Sequence, residues 1–317
     1  MIETVKKILT DEVDAFGFID VPTYVSQYEL YHQEVPKAVL DELQNYQTII
    51  TLGLSYPSVE TPYLGRGYGI LSRYSYHLDY HIVFRAKLAI MEQKLNALGY
   101  QTSSSVDISN INERLAAKLS NMGYIGKNQF LINKKYGSYL YLATILIDLK
   151  IDTEDTLLDD CGNCRACVTA CPTNALEDGF HEKRCLSYLT QAKKEFSMEE
   201  ISHLKTMIYG CDICQKVCPK NTGIDFHLHP EFEPSGIENI NLLELLSQSN
   251  QKYLNRYKEN ASSWRGGLVM KRNALCLIAN QNMVEAIPKI KETMVKYHDV
   301  LWYNKTAQKV VKILEGK

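Results

Sequence analysis

Residues 161–172 read CGNCRACVTACP, which sets Cys161, Cys164, Cys167 and Cys171 in a Cys-x2-Cys-x2-Cys-x3-Cys run closed by Pro172. In bacterial ferredoxin runs of this spacing, three close thiolates wrap one [4Fe–4S] cubane and the fourth reaches a second cluster. A zinc site is built from two pairs of Cys or His, so a triple followed by Cys-Pro argues against zinc. The second run, Cys211-x2-Cys214-x3-Cys218-Pro219, lacks only its first cysteine, and Ile208 stands in that place. Under the crossover pattern the first cluster takes Cys161, Cys164, Cys167 and Cys218. The second takes Cys171, Cys211 and Cys214, and Cys185, between the two runs, is its fourth ligand.

Eight of the nine cysteines therefore belong to one region. The ninth, Cys276, falls in an apolar helical pattern with Leu275, Leu277 and Ile278 and reads as a small buried hydrophobe. An apolar fraction of 45% with 23% charged residues is ordinary for a globular chain. The N-terminus has neither an apolar signal core nor a twin-arginine pair, and residues 139–147 are too short to span a bilayer, so the expectation is a cytoplasmic protein without a membrane partner. In that compartment clustered cysteines are metal ligands before they are disulfides. The formal net charge is −2, yet residues 241–317 hold 13 Lys and Arg against 6 Asp and Glu. A basic tail on an acidic body suits a polyanion such as nucleic acid, and a solvated helical surface accounts for the same count.

The first 150 or so residues mix strand and helix signals. Residues 48–56 (TIITLGLSY) and 139–149 (YLYLATILIDL) read as buried strands. Residues 80–98 read as a helix stopping at Gly99, and residues 112–122 as a helix stopping at Gly123. The run from Gly65 to Gly69 lacks the third glycine of a dinucleotide fingerprint, with Ile70 in that position, and reads as a flexible loop. An acidic segment, 152–160, leads into the cysteines, and the prolines of residues 225–234 mark a second boundary. Beyond it, residues 240–246, 266–279, 284–297 and 300–314 carry apolar faces at helical spacing, which suggests a two-repeat, HEAT-like helical module. The expected fold is α+β, with domains at 1–155, 156–228 and 229–317.

A relay protein does not need an α+β domain of that size, so something in it should receive the electrons. Asp107 follows a strand and precedes a helix, where a carboxylate projects into a cleft or simply caps the helix. The stretch from Gly123 to Asn128 has two glycines that let backbone approach a bound group, with Lys127 and Asn128 to hydrogen-bond it. Arg73, Asp79, Tyr80 and His81 form a polar aromatic group. Ser187 and Asp212, beside second-cluster cysteines, either face the electron acceptor or cap helix ends.

Taken together, RYSYHLDYH at 73–81, VDISNINER at 106–114, GYIGKN at 123–128, GSYLYL at 137–142, RGGLVMKRNALCLIAN at 265–280 and both cysteine runs resemble the epoxyqueuosine reductase family over nearly the whole chain. The family usually has a proline where Asn110 stands and Gly-Glu where Ala143-Thr144 stands. The resemblance implies reductive deoxygenation of epoxyqueuosine to queuosine at the tRNA wobble position. It also implies a reductive-dehalogenase-like domain that holds cobalamin, a two-cluster ferredoxin-like module that feeds it, and the HEAT-like end. Arg73, Tyr80, Asp107, Lys127, Asn128, Ser187 and Asp212 become cofactor contacts, Asp107 the proton donor with its pKa raised by desolvation, and Lys271 and Arg272 tRNA contacts. Asp79-Tyr80-His81 begins an Asp-x-His-x-x-Gly cobalamin signature, but Phe84 replaces the glycine, so no histidine ligand to cobalt is assigned. A low-potential electron donor and a monomeric state complete the expectation. A ferredoxin-type carrier and a reductive dehalogenase are the competing readings.

Overall fold

The computed structural model of the chain describes residues 2–32, 34–152 and 159–316. Most of the acidic segment at 152–160 lies outside them. The chain divides into two compact units, one formed by Met1–Ser58, Tyr80–Arg165 and Cys218–Pro230, the other by Val59–Asp79, Ala166–Val217 and Glu231–Lys317. These units are not contiguous in sequence, and the cysteine region contributes to both. Backbone pairing is the reason. Tyr68–Leu71 lies parallel to Met207–Tyr209 and antiparallel to Asn239–Asn241, which stitches an early segment into the second unit.

The first unit is built on a four-stranded antiparallel sheet in the order Ala15–Asp20, Thr48–Ser55, Leu140–Ile147, Thr102–Ser105. The two strands expected from sequence are its centre and pair directly, with Thr48 opposite Ile147 and Ser55 opposite Leu140. Thr48–Ser55 is buried along its whole length, its Thr48, Thr51 and Ser55 included. Tyr80–Ala97 is the long helix, and Gly99 closes it in the left-handed region at φ +93°. The helix expected at 112–122 is Glu113–Leu119. Asn112 caps it by accepting from Leu115 N at 3.1 Å, and the chain turns at Asn121 (φ +61°), not at Gly123. Gly123 has another cause: a Cβ there would run into the carbonyl of Ile132.

In the second unit, helices Leu242–Ser247, Gly267–Asn280, Ile287–Lys296 and Leu301–Leu314 pack around a core that includes Leu275, Cys276, Leu277, Tyr303 and Val310. Asn250–Tyr257 is a further helix, not among those expected, with Tyr253 and Tyr257 buried one turn apart. The loop expected at 65–69 stops early, because Tyr68 and Gly69 already belong to a strand. Ile208 is fully buried in this core on the strand Met207–Tyr209, which explains why a cluster ligand is missing there. The next residues turn sharply at Gly210 (φ +70°), where any Cβ would collide with Ser72, and this turn delivers Cys211.

Candidate active site and cluster ligands

Asp107 lies in the loop between the strand Thr102–Ser105 and the helix Glu113–Leu119, with φ +58°, a conformation Asp tolerates better than most residues. Its backbone N–H donates to Glu113 Oε1 at 2.8 Å. The Tyr80 hydroxyl donates to its Oδ2, and His81 Nε2 lies 3.2 Å from the same oxygen. Tyr80 and His81 begin the long helix, so its first turn grips the loop. Four rings stack beside this group: Tyr56 on Tyr141 (4.4 Å), Tyr141 on Tyr80 (4.3 Å, 3° between planes) and Tyr80 on His81 (4.2 Å). The side chains border a cleft of about 420 Å³ whose wall includes Ile111, Phe130, Leu131 and Leu142.

Burial pushes the Asp107 carboxyl up, but hydrogen bonds from His81 and Tyr80 and the His81 charge outweigh it and hold the group below the usual carboxylate range. The side chain is also 46% exposed. The expectation of a raised Asp107 is corrected. The raised carboxyl is that of Glu113, driven first by burial and then by the Asp107 charge beside it. Two carboxyl groups this close do not both ionise readily, and burial beside the Asp107 charge makes Glu113 the one pushed toward the neutral form.

Cys171 and Cys185 are electrostatic neighbours of both Cys211 and Cys214. Burial pushes the Cys211 thiol up to about 12, and the neighbouring Cys185 and Cys171 push in the same direction. Cys214 is raised by burial and then by Cys211 and Cys185. Cys185 is the N-cap of the helix Leu186–Gln191, and Cys171 Sγ accepts from Ala175 N at 3.3 Å. Four partly buried cysteines are a donor set suited to an iron–sulfur cluster. In the first unit, Cys161 and Cys164 are the charged neighbours of Cys218, whose thiol is raised chiefly by burial. Cys167 is buried at the start of the helix Ala166–Ala170, and Cys276 is fully buried, as read from the sequence.

Asp212, 3% exposed, accepts from Arg73 N at 2.9 Å and makes no side-chain cap to the helix it precedes. Burial pushes its carboxyl up to about 6 against the opposing Arg73 charge. The Arg73 guanidinium is itself buried and pairs with Glu60, which also holds Lys216 at 2.7 Å. Ser187 sits inside the helix Leu186–Gln191, not at its cap, and its hydroxyl lies 3.5 Å from Gln191 Nε2. Lys127 and Asn128 do not line the Asp107 cleft. Lys127 Nζ donates to the carbonyls of Gly162 (2.7 Å) and Cys164 (2.9 Å), and so fastens the first cysteine loop. Asn128 shapes a turn through Phe130 N at 3.3 Å.

Residues 160–221 match a family model described as a 4Fe-4S double cluster binding domain, and residues 36–108 match one described as epoxyqueuosine reductase QueG. An epoxyqueuosine reductase of Lactococcus garvieae is 37% identical over 261 residues, covering 79% of this chain and 74% of that protein. The chain belongs to the epoxyqueuosine reductase family. Family members reduce epoxyqueuosine in tRNA to queuosine with two [4Fe–4S] clusters and cobalamin, and this chain is such an oxidoreductase. Two solved epoxyqueuosine reductases align over 99% of it. A Bacillus subtilis structure, described with its catalytic aspartate loop swung out of the active site, is 32% identical with TM-score 0.86 over 89% of that chain. A structure with an epoxyqueuosine-modified tRNA-Tyr stem loop is 30% identical with TM-score 0.85 over 97% of that chain. Among the described residues no helix is long and apolar enough to cross a membrane.

Within an epoxyqueuosine reductase fold, the two cations expected as tRNA contacts are misplaced for that role. Lys271 and Arg272 are 1% and 0% exposed. Lys271 Nζ donates to Gln248 O (2.5 Å) and Tyr297 Oη (3.0 Å). Arg272 donates to the carbonyls of Leu189, Ala192 and Lys194 and lies 3.6 Å above the Phe196 ring. They hold the second unit together and present no charge to a phosphate. Asn110, which replaces the family's usual proline, uses the N–H that a proline lacks: its N and Nδ2 both donate to Glu42 Oε2 at 2.9 Å and pin the Asp107 loop. Glu113 escapes sequence reasoning because an acid in the first turn of a helix is ordinarily a dipole partner. Its distance of six residues from Asp107 is the only signal the sequence offers.

Proposed function

We propose that Asp107 is the proton donor of epoxyqueuosine reduction in this chain, acting on the epoxide oxygen as it opens. The observation that carries this is the Asp107 carboxylate on a left-handed loop, with an oxygen gripped by Tyr80 and His81 beside an aromatic-walled cleft. A wall with Ile111, Phe130, Leu131, Leu142 and the stacked Tyr80 and Tyr141, beside the Asp107 and Glu113 carboxyl groups, would suit a flat corrin with a polar substrate. The residues around Asp107 therefore fit cobalamin, and Tyr80 and Tyr141 are the contacts proposed here. Bound cobalamin supplies low-potential electrons at a carbon–oxygen bond. This chain's own residues orient the acid and supply its proton. Pre-paid orientation of this kind lowers a barrier without new chemistry.

The proposed ligands are Cys161, Cys164, Cys167 and Cys218 for the first cluster and Cys171, Cys185, Cys211 and Cys214 for the second. Grouping of the last four within one unit supports the second set. Arg73, Ser187 and Asp212 share that unit and are proposed to tune the second cluster's surroundings. The substrate is proposed to be tRNA, engaged through exposed cations of residues 241–317 and not through Lys271 and Arg272. The helices from Leu242 onward are proposed to form a HEAT-like module.

The test is single-turnover reduction of epoxyqueuosine tRNA by chemically reduced Asp107→Asn protein. Loss of a general acid costs about 10²–10⁴-fold in rate, with cobalamin and iron content retained. Near wild-type conversion removes Asp107 from the reaction, and loss of bound cobalamin reassigns it to cofactor binding.

A further inference from the structure

A donor held as a carboxylate has no proton to give. Asp107 must be loaded before each delivery, and three groups face it: Tyr80 and His81 from the helix Tyr80–Ala97 and Glu113 from the helix Glu113–Leu119. Tyr80 and His81 both engage Oδ2, and their hydrogen bonds favour the anion. Glu113 Oε1 accepts from Asp107 N–H at 2.8 Å, and the two carboxyl side chains line the same cleft. Arg114, the next residue, does not neutralise it, because its guanidinium donates to Gln129 O at 2.8 Å.

We propose that Glu113 reloads Asp107, passing its carboxyl proton to the Asp107 carboxylate as that group protonates the opening epoxide oxygen. In this step the O–H bond of Glu113 breaks and an O–H bond forms on Asp107. The Asp107 O–H bond then breaks as one forms on the substrate oxygen. Two electrons from the iron–sulfur clusters and two protons convert that oxygen to water. Each proton uses one cycle of the pair, and Glu113 regains its own from water in the cleft it borders. The inference rests on Asp107 being the donor. Glu113 acts through Asp107 and does not touch substrate.

Two features agree with this role. Burial and the adjacent negative charge both push the Glu113 carboxyl toward its neutral form. The hydrogen bond from Asp107 N also fixes Glu113 against the loop, so transfer needs no rearrangement of either backbone.

The experiment compares Glu113→Gln, Glu113→Ala and Asp107→Asn holoenzymes. Gln keeps the acceptor for Asp107 N–H but holds no transferable proton. If Glu113 only shapes the loop, Gln rescues what Ala loses, and the alkaline limb of the single-turnover pH profile is unchanged. If Glu113 reloads Asp107, the Gln variant is impaired by at least about 10²-fold, the lower end for a lost proton-transfer group, and that limb disappears. The second readout is independent of turnover. Infrared difference spectra of protein without substrate should show a neutral carboxylic acid band that titrates above the usual carboxylate range. The band should vanish in Glu113→Gln and persist in Asp107→Asn, shifted to lower pH because the neighbouring charge is gone. A Gln variant with wild-type rate and pH profile overturns the inference. If Asp107→Asn turns over normally instead, the donor assignment itself has failed, and the two failures are distinct.

Discussion

Replacing Arg272 with alanine should damage folding and the second cluster while leaving phosphate recognition alone. The guanidinium sits at the C-terminal end of the helix Leu186–Gln191, where Leu189, Ala192 and Lys194 carbonyls converge on it at 2.9, 3.1 and 2.9 Å, and its Nε meets Asn273 Oδ1 at 2.8 Å. A hydrogen bond to a charged group contributes about 1.5–3 kcal/mol net. Three such bonds to backbone sum to about 4–9 kcal/mol if additive. The lower end is the realistic figure, since the Leu189 and Ala192 carbonyls also accept from backbone N–H groups. We therefore expect a loss of about 4 kcal/mol against a typical stability of about 5–15 kcal/mol. Cys185 begins this helix, so iron should leave the variant faster than the wild type under mild denaturant. Anaerobic urea unfolding, iron release and tRNA binding across a salt series measure the three parts. Stability within about 0.5 kcal/mol of wild type, the range of an innocuous surface change, together with a shallower salt slope would refute the reasoning.

Three further outcomes follow from the same structure. Cys185→Ser should lower iron from about eight towards four per chain, the complement of one cubane, whereas Cys276→Ser should leave both clusters intact, as anaerobic iron analysis will report. His77 is buried against Phe232, shares a 2.9 Å Nδ1 contact with the Leu78 carbonyl and is pushed down to about 4 by burial. The unfolded chain then binds the extra proton below its ordinary value of about 6.5, so stability should fall as pH drops from 6.5 towards 4, by about 2 kcal/mol at pH 5. His77→Gln should flatten that slope in urea midpoints measured between pH 5 and 7. An undiminished slope would move its cause to another group.

How much of the fold and the site is legible in the sequence depends on how local the physics is. The ferredoxin runs are recognisable because a cubane demands thiolates at fixed short spacings, which is also why Cys185 is the ligand proposed for the gap at Ile208. The central strands and the long helix are equally plain, since burial on both faces or on one stripe imprints a period. Tyr56, Tyr141 and Glu113 leave no such mark. They reach Asp107 only because a strand pairing and a helix start bring them there.

The sequence by itself determined the cluster chemistry, the α+β and helical segments and the importance of Asp107, because each depends on residue type at close range. Tertiary structure alone decided which charges face water. Lys271 and Arg272 look like a basic surface pair, yet the helix Gly267–Asn280 is buried all round and their charges are spent on carbonyls of other segments. It also set the directions in which the Asp107 and Glu113 carboxyl groups are pushed, since these depend on burial and on contacts from Tyr80 and His81. Long-range pairing divided the cysteine region between two units for the same reason: backbone hydrogen bonds follow spatial neighbours, and sequence distance does not limit them.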